Sequence, residues 1–198
     1  MTRAAARMLA SLALALSIAV PAIAAEPALP RDSVYQSSAQ LVDAHGMRFA
    51  WRAKRGEAQV VSMLYTSCKF VCPMIVEGAK AIEQQLAPEE RAHLGVTLIS
   101  MDPVRDTPAV LARMARERGI DSPRWTLASP DPKDVRSIAG LLGVRYRALA
   151  DGEFNHNTVL VLLDAEGRVV ARTERVAGTP DATFVAAIRR TVGLPSTH

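Results

Sequence analysis

The stretch Val60-Val61-Ser62-Met63-Leu64-Tyr65-Thr66-Ser67-Cys68-Lys69-Phe70-Val71-Cys72-Pro73-Met74 decides the fold, because a strand, a turn and a helix follow one another within it. The mostly apolar run 60–65 predicts a buried strand. Pro73 suits the first position of a helix, where its missing N–H costs nothing. The polar turn between them carries the only two cysteines, Cys68 and Cys72. The sequence therefore predicts two sulfur atoms between a strand and a helix.

The position of the two cysteines indicates reactive sulfur. Cys72 precedes a proline and is expected at or just before the helix N-terminus, where the macrodipole and unpaired N–H groups favour an anion. We therefore expect a lowered pKa for the Cys72 thiol. Cys68 is expected to be more exposed, in the turn. The pair predicts a redox-active dithiol, able to form a disulfide, or a metal site.

A disulfide that serves only as a structural staple is the alternative. Closing a loop of about five residues gives only about 2 kcal/mol in the chain-entropy model. A chain of 198 residues with 49% apolar content can form an ordinary core without so small a clip. The functional interpretation is therefore favoured.

Residues 1–24 have the pattern of a secretory signal peptide. Arg3 and Arg7 accompany the apolar run 8–20, and Ala22-Ile23-Ala24 is a typical cleavage motif. An uncleaved membrane anchor is the alternative, although the run is short for a full span. In both cases we expect the rest of the chain to be exported to a bacterial periplasm, either soluble or tethered to the inner membrane.

The charge pattern argues against nucleic-acid binding. The formal charge of +4 falls to +2 without Arg3 and Arg7. The remaining basic residues are scattered among acidic ones and form no aromatic-interleaved stripe.

After the signal, residues 25–37 are predicted to be a linker and residues 38–193 a single domain. Proline and glycine delimit its helices, predicted to begin at Pro73, Pro108, Pro132 and Pro180. Strands are predicted over 40–43, 47–51, 60–65, 95–101, 158–163 and 168–172. This order predicts an α/β fold with a central mixed β-sheet, helices on both faces and an N-terminal β-hairpin.

The sulfur pair narrows the choice of metal. Soft thiolates suit Cu(I), Zn²⁺ or an iron–sulfur cluster. A cluster needs four ligands, and the chain has two cysteines. A closed zinc site needs two further nitrogen or oxygen ligands. Cu(I) is satisfied by two or three soft ligands.

Four histidines are candidate further ligands. His45, His93 and His198 are expected on the surface. His156 immediately precedes the strong strand 158–163, which leaves two interpretations. It is either a loop histidine bonded to the backbone or a third metal ligand from the end of a neighbouring strand.

Three motifs together resemble the SCO/SenC family. They are Thr66-Ser67-Cys68-Lys69-Phe70-Val71-Cys72-Pro73, then Ser100-Met101-Asp102-Pro103-Val104-Arg105-Asp106-Thr107-Pro108, then His156 ahead of Leu160-Val161-Leu162-Leu163-Asp164-Ala165-Glu166-Gly167. Their order and spacing fit across about residues 38–192. The resemblance implies a thioredoxin-like fold that binds copper, as Cu(I) or Cu(II), through Cys68, Cys72 and His156.

The resemblance also implies a function. Proteins of this family help to assemble copper centres of respiratory oxidases, which indicates an exported metallochaperone. The implied partners are the apo-subunit of a copper enzyme, such as a cytochrome oxidase subunit, and a copper donor protein. A thiol–disulfide oxidoreductase that keeps a partner's copper-site cysteines reduced is the alternative. A peroxidatic thiol enzyme is a third hypothesis, in which the second sulfur and His156 would be incidental.

The sequence departs from the family pattern at two places. Lys69-Phe70-Val71 lies where the family often has Pro-Asp-Val, and Asn155 stands where an aspartate often precedes the histidine. Both changes remove an acid that could orient a ligand.

Other residues near these motifs have less specific interpretations. Asp102, Arg105 and Asp106 are expected either to brace the loop beside the site or to form an ordinary turn and helix cap. Met101 is a candidate auxiliary ligand, but a methionine that ends a buried strand is more often a core residue. Trp51 and Trp125 are interpreted as packing residues.

Overall fold

A computed structural model describes residues 28–68 and 71–193. The predicted signal peptide therefore lies outside the described residues. No helix in the described part of the chain has the length and apolar character needed to cross a bilayer.

Nine strands and five α-helices make up the described chain. The strands are β1 (Gln40–Asp43), β2 (Arg48–Ala50), β3 (Ala58–Leu64), β4 (Leu94–Ser100), β5 (Trp125–Pro130), β6 (Tyr146–Ala148), β7 (Phe154–His156), β8 (Leu160–Leu163) and β9 (Val169–Thr173). The helices are α1 (Val71–Gln84), α2 (Pro88–Ala92), α3 (Pro108–Glu117), α4 (Val135–Leu142) and α5 (Ala182–Val192).

Seven strands form one mixed sheet in the order β2-β1-β5-β4-β3-β8-β9. β3, β4 and β5 are parallel, and β1, β2, β8 and β9 join antiparallel. All residues of β3 and β4 are buried, so both faces of the centre of the sheet are covered. The predicted mixed α/β fold and its N-terminal hairpin, here β1 and β2, are confirmed.

A second, two-stranded sheet consists of β6 and β7 alone. It pairs Tyr146 with His156 and Ala148 with Phe154. Neither strand was predicted from the sequence, which left His156 either as a loop histidine bonded to the backbone or as a metal ligand at the end of a neighbouring strand. Three-residue strands with exposed or half-buried side chains give too short an alternation to detect.

Several predicted boundaries are corrected. Strand β5 and the short helix α2 were not predicted, since Thr126 and Ser129 interrupt the apolar pattern of β5 and α2 has no buried residue. The last helix begins after Asp181, whose carboxylate accepts N–H bonds from Thr183 and Phe184, rather than at Pro180.

Part of the segment predicted as a linker is packed against the domain. Val34 and Tyr35 are buried within a short 3-10 turn, and the Ser33 hydroxyl donates to the carbonyl of Glu166. Tyr35 also contacts Trp51 edge-on. Leu29 also packs against the core, so the packed chain extends upstream of residue 38.

Gly78 in α1 marks a close approach that positions this helix. A Cβ there would lie 2.5 Å from the carbonyl oxygen of Val176. We expect Gly78→Ala to destabilise the protein by about 2 kcal/mol, as overpacking does, although alanine normally favours a helix. Gly140→Ala in α4 is the matched control, since its Cβ meets nothing within 4 Å and should stabilise by about 0.5–1 kcal/mol. Urea unfolding of both variants checks the opposite signs, and equal signs would contradict the expectation.

Candidate metal centre

The two cysteines lie where β3 leaves the sheet and α1 begins. Cys68 is half-buried in the turn after β3, and Cys72 is 1% exposed in the first turn of α1. The helix therefore begins two residues earlier than the Pro73 start that the sequence predicted. No disulfide joins Cys68 and Cys72 in this structure.

Backbone N–H groups contact both sulfur atoms. The N–H of Tyr65 donates to Sγ of Cys72 at 3.4 Å, and the N–H of Cys72 donates to Sγ of Cys68 at 3.4 Å. A donor directed at sulfur stabilises the thiolate more than the thiol. The turn thus supplies two pre-oriented groups that favour the form that binds a metal.

The expected lowering of the Cys72 pKa is wrong. Burial raises the pKa of this thiol, and the N–H of Tyr65 only partly opposes that effect. The helix terminus contributes roughly 0.3–1 kcal/mol, which does not offset the desolvation of a nearly inaccessible thiolate. A coordinated metal ion would lower the pKa of Cys72 despite its burial, because a thiol that binds a metal is deprotonated.

His156 ends β7 and faces the sulfur pair. A ring nitrogen of His156 and Sγ of both cysteines all lie within 4.8 Å of one another. Nδ1 lies 2.9 Å from the carbonyl oxygen of Asn157, which can only accept, so Nδ1 carries the proton. Nε2 is buried without a hydrogen-bond partner. It therefore presents an unused lone pair in the tautomer that a metal requires.

The three donor atoms fit a single ion. Cysteine and histidine ligands lie about 2.0–2.3 Å from metals such as zinc, so two ligands of one ion are at most about 4.6 Å apart. The three donor atoms lie within 4.8 Å of one another, so they would need to move only slightly to bind one ion. Among the described residues, this is the one group of three or more cysteine, histidine or acidic side chains with such spacing. Two sulfurs and one nitrogen suit copper better than a four-coordinate structural zinc.

Asp106 braces the turn that carries Cys68, as one of its two interpretations predicted. The Asp106 carboxylate accepts hydrogen bonds from the N–H of Thr66 at 3.2 Å and from the Thr66 hydroxyl at 2.5 Å. The hydroxyl of Ser100, at the end of β4, donates to the same carboxylate at 2.5 Å. Burial raises the pKa of Asp106, and these donors oppose the shift. The carboxylate ties the cysteine turn to the central sheet.

Arg105 links the same loop to the hairpin that carries His156. Its guanidinium pairs with Asp102, donates to the carbonyl of Gly152 and lies 5.9 Å from the ring centre of Phe154. The ion pair also raises the pKa of Arg105. The predicted turn with an internal ion pair, between Arg105 and Asp102, is therefore present as well. Arg105 also joins this turn to the β6–β7 hairpin through Gly152.

Tyr65 and Glu153 were missed by the sequence analysis. The Tyr65 hydroxyl donates to the Glu153 carboxylate at 2.8 Å, and its ring contacts His156 edge-on at 5.8 Å. Burial raises the pKa of Tyr65, and hydrogen bonds with Glu153 and Cys68 add to the rise. The place of Tyr65 directly before the cysteine turn could have indicated a role at the site. Glu153 could not be linked to it, because the two residues are 88 positions apart in the chain.

The remaining predicted residues lie as expected. His45 and His93 are exposed, whereas His198 lies outside the described residues. Met101 is 2% exposed and packs in the core. Trp51 and Trp125 are buried packing residues, and the Trp125 indole donates to Glu83 at 2.9 Å.

Comparison with known proteins places this geometry in context. A family model described as SCO1/SenC matches residues 28–193. A Stutzerimonas stutzeri protein named "Putative copper-binding protein" is 31% identical over 83 residues, which are 42% of this chain. The matched part spans only 40% of the length of that relative.

Two solved structures share the fold. Bradyrhizobium japonicum ScoI with copper bound is 23% identical, with a TM-score of 0.65 over 78% of this chain and 98% of that one. Yeast Sco1 with copper bound is 21% identical, with a TM-score of 0.66 over 81% of this chain and 90% of that one. At this level of identity, they establish the architecture alone.

Proposed function

The chain belongs to the SCO1/SenC family, and on this premise we propose that it is an exported copper metallochaperone. It would hold copper through Cys68, Cys72 and His156 and deliver it to an apo-enzyme. The proposal is carried by the position of His156: one of its ring nitrogens and both sulfur atoms lie within 4.8 Å of one another, and its Nε2 is buried without a hydrogen-bond partner. Relatives named for copper binding in bacteria and yeast support the choice of metal.

The candidate ligands differ in how accessible they are to an acceptor. Cys72 is buried and fixed by the N–H of Tyr65, whereas Cys68 is half-buried and more accessible. An incoming thiolate or imidazole of an acceptor would therefore replace Cys68 or His156 before Cys72. Copper is the cargo in this exchange, and the chain regains its thiols when the cargo leaves.

The family and the signal-like residues 1–24 support a proposal for the acceptor and for the location. We propose a copper subunit of a respiratory oxidase as acceptor, and a separate protein as copper donor. The signal-like segment 1–24 supports export to the periplasm, with a soluble or membrane-tethered domain.

Copper titration of the mature protein tests the proposal. We expect one Cu(I) per chain under anaerobic conditions, with X-ray absorption showing two sulfur neighbours and one nitrogen neighbour. Cu(II) should give an intense visible band from thiolate-to-copper charge transfer. The variant with both Cys68 and Cys72 replaced by Ser serves as the control and should bind no copper tightly. Equal binding by that variant would refute the proposal.

The proximity of the two sulfurs also supports a thiol–disulfide oxidoreductase. In that reaction, the Cys68 thiolate attacks a partner disulfide and displaces one partner thiolate. Cys72, as a thiolate, then attacks Sγ of Cys68 and releases the second partner thiolate. The partner gains two electrons and the chain ends with a Cys68–Cys72 disulfide. This chemistry does not require His156, which separates the two functions experimentally.

A further inference from the structure

Tyr65 contacts all three candidate ligands. Its N–H donates to Sγ of Cys72, and its carbonyl accepts from the N–H of Cys68 at 3.3 Å. Its ring meets the imidazole of His156 edge-on, with centroids 5.8 Å apart and planes at 71°. A displacement of this one residue would therefore move the sulfurs relative to the nitrogen.

Glu153 fixes the free end of that side chain. Its carboxylate accepts the Tyr65 hydroxyl at 2.8 Å, and the N–H of Phe154 lies 3.4 Å from the same hydroxyl oxygen. Phe154 also packs edge-on against the Tyr65 ring, at 5.0 Å between centroids. Glu153 and His156 lie on the same hairpin, so this hydrogen bond connects the segment carrying the nitrogen ligand to the cysteine turn.

We propose that Glu153 is a positioning residue of the metal centre, which acts through the hydroxyl of Tyr65. The proposal rests on the copper-binding function above and adds a residue to it. In this arrangement the β6–β7 hairpin is held by a charged acceptor, and a hydrogen bond to a charged group is stronger than a neutral one. The site is thereby pre-organised before the ion arrives. Residues that orient metal ligands typically change metal affinity by about 10- to 100-fold when they are replaced.

Copper affinity and the visible spectrum of a small set of variants test this role. We expect Glu153→Ala and Tyr65→Phe each to weaken Cu(I) binding by about tenfold and to shift the thiolate-to-Cu(II) band. Glu153→Gln retains an acceptor oxygen and should stay within about threefold of the wild type. The double variant Tyr65→Phe/Glu153→Ala should lose no more affinity than Tyr65→Phe alone, because loss of the hydroxyl already removes the hydrogen bond to Glu153, together with the Phe154 contact.

Glu89→Ala is the matched control. Glu89 is exposed on α2, at the opposite end of the sheet from the cysteine turn, and should change neither affinity nor spectrum. Thermal unfolding of each metal-free variant measures any change in folding. Wild-type affinity and spectrum in Glu153→Ala, or fully additive losses in the double variant, would overturn the positioning role. Failure of the wild type to bind copper would instead overturn the proposed function itself.

Discussion

Replacing His156 by Ala is expected to weaken copper binding by more than about 100-fold. Loss of a residue that only orients a ligand costs at most about 100-fold in affinity, and loss of the ligand itself should cost more. The substitution removes the single nitrogen donor and leaves both sulfurs in place. The visible thiolate-to-Cu(II) band should be lost or strongly altered. Competition with a chromophoric chelator, together with absorption spectroscopy, measures both effects.

The same variant separates the two candidate functions. Thiol–disulfide exchange uses the two sulfurs alone, so the His156→Ala protein should reduce a model disulfide at a rate within about twofold of the wild type. His45→Ala, which changes an exposed imidazole, is the control for general effects of losing a histidine. Undiminished copper binding by His156→Ala would exclude the three-ligand chaperone. Loss of disulfide reduction without loss of copper would contradict both assignments.

Replacing Asp106 by Ala is expected to give the largest loss of stability among these variants, about 3 kcal/mol. Asp106 is 1% exposed, and its removal leaves the half-buried donors of Thr66 and the buried hydroxyl of Ser100 without their acceptor. Since Thr66 leads into the turn of Cys68, copper affinity should fall as well. Urea unfolding of the metal-free protein gives the free energy of unfolding, from the midpoint and slope of the transition.

The control for Asp106→Ala is Asp121→Ala. Asp121 is exposed, and a substitution there should change the free energy of unfolding by less than about 0.5 kcal/mol. A loss below about 1 kcal/mol in Asp106→Ala would mean that the turn finds other acceptors. The bracing role of this carboxylate would then be withdrawn.

The sheet could be predicted from the sequence where its strands are apolar and β-branched. Strands β3, β4 and β8 are buried along their whole length, and such runs give a strong signal. Strands β6 and β7 give none, because three residues at a half-exposed surface carry no period. Their pairing is local to residues 146–156, and the hairpin is attached to the domain by contacts with distant residues, such as that between Tyr65 and Glu153.

The candidate ligands could be predicted, but their electrostatics could not. Cys68, Cys72 and His156 follow from residue type and order, and the structure brings them within 4.8 Å of one another. The pKa of Cys72 depends on burial, which a sequence does not quantify, and burial outweighs the helix terminus. The orientation of His156 comes from the carbonyl of Asn157 rather than from a neighbouring acid. Every residue has a backbone carbonyl, so the residue types cannot indicate which carbonyl orients the imidazole.

The separation of the two sheets has a consequence for how such proteins can be altered. The sulfur donors lie at the end of the seven-stranded sheet, whereas the nitrogen donor is carried by a hairpin that shares no strand pairing with that sheet among the described residues. An exchange of residues 146–156 for another hairpin would therefore preserve the strand pairing of the larger sheet, provided that the new hairpin keeps the packing of Tyr146 and Phe154 against the core. Metal preference and release rate could then be re-engineered as a module, by grafting rather than by redesign of the core.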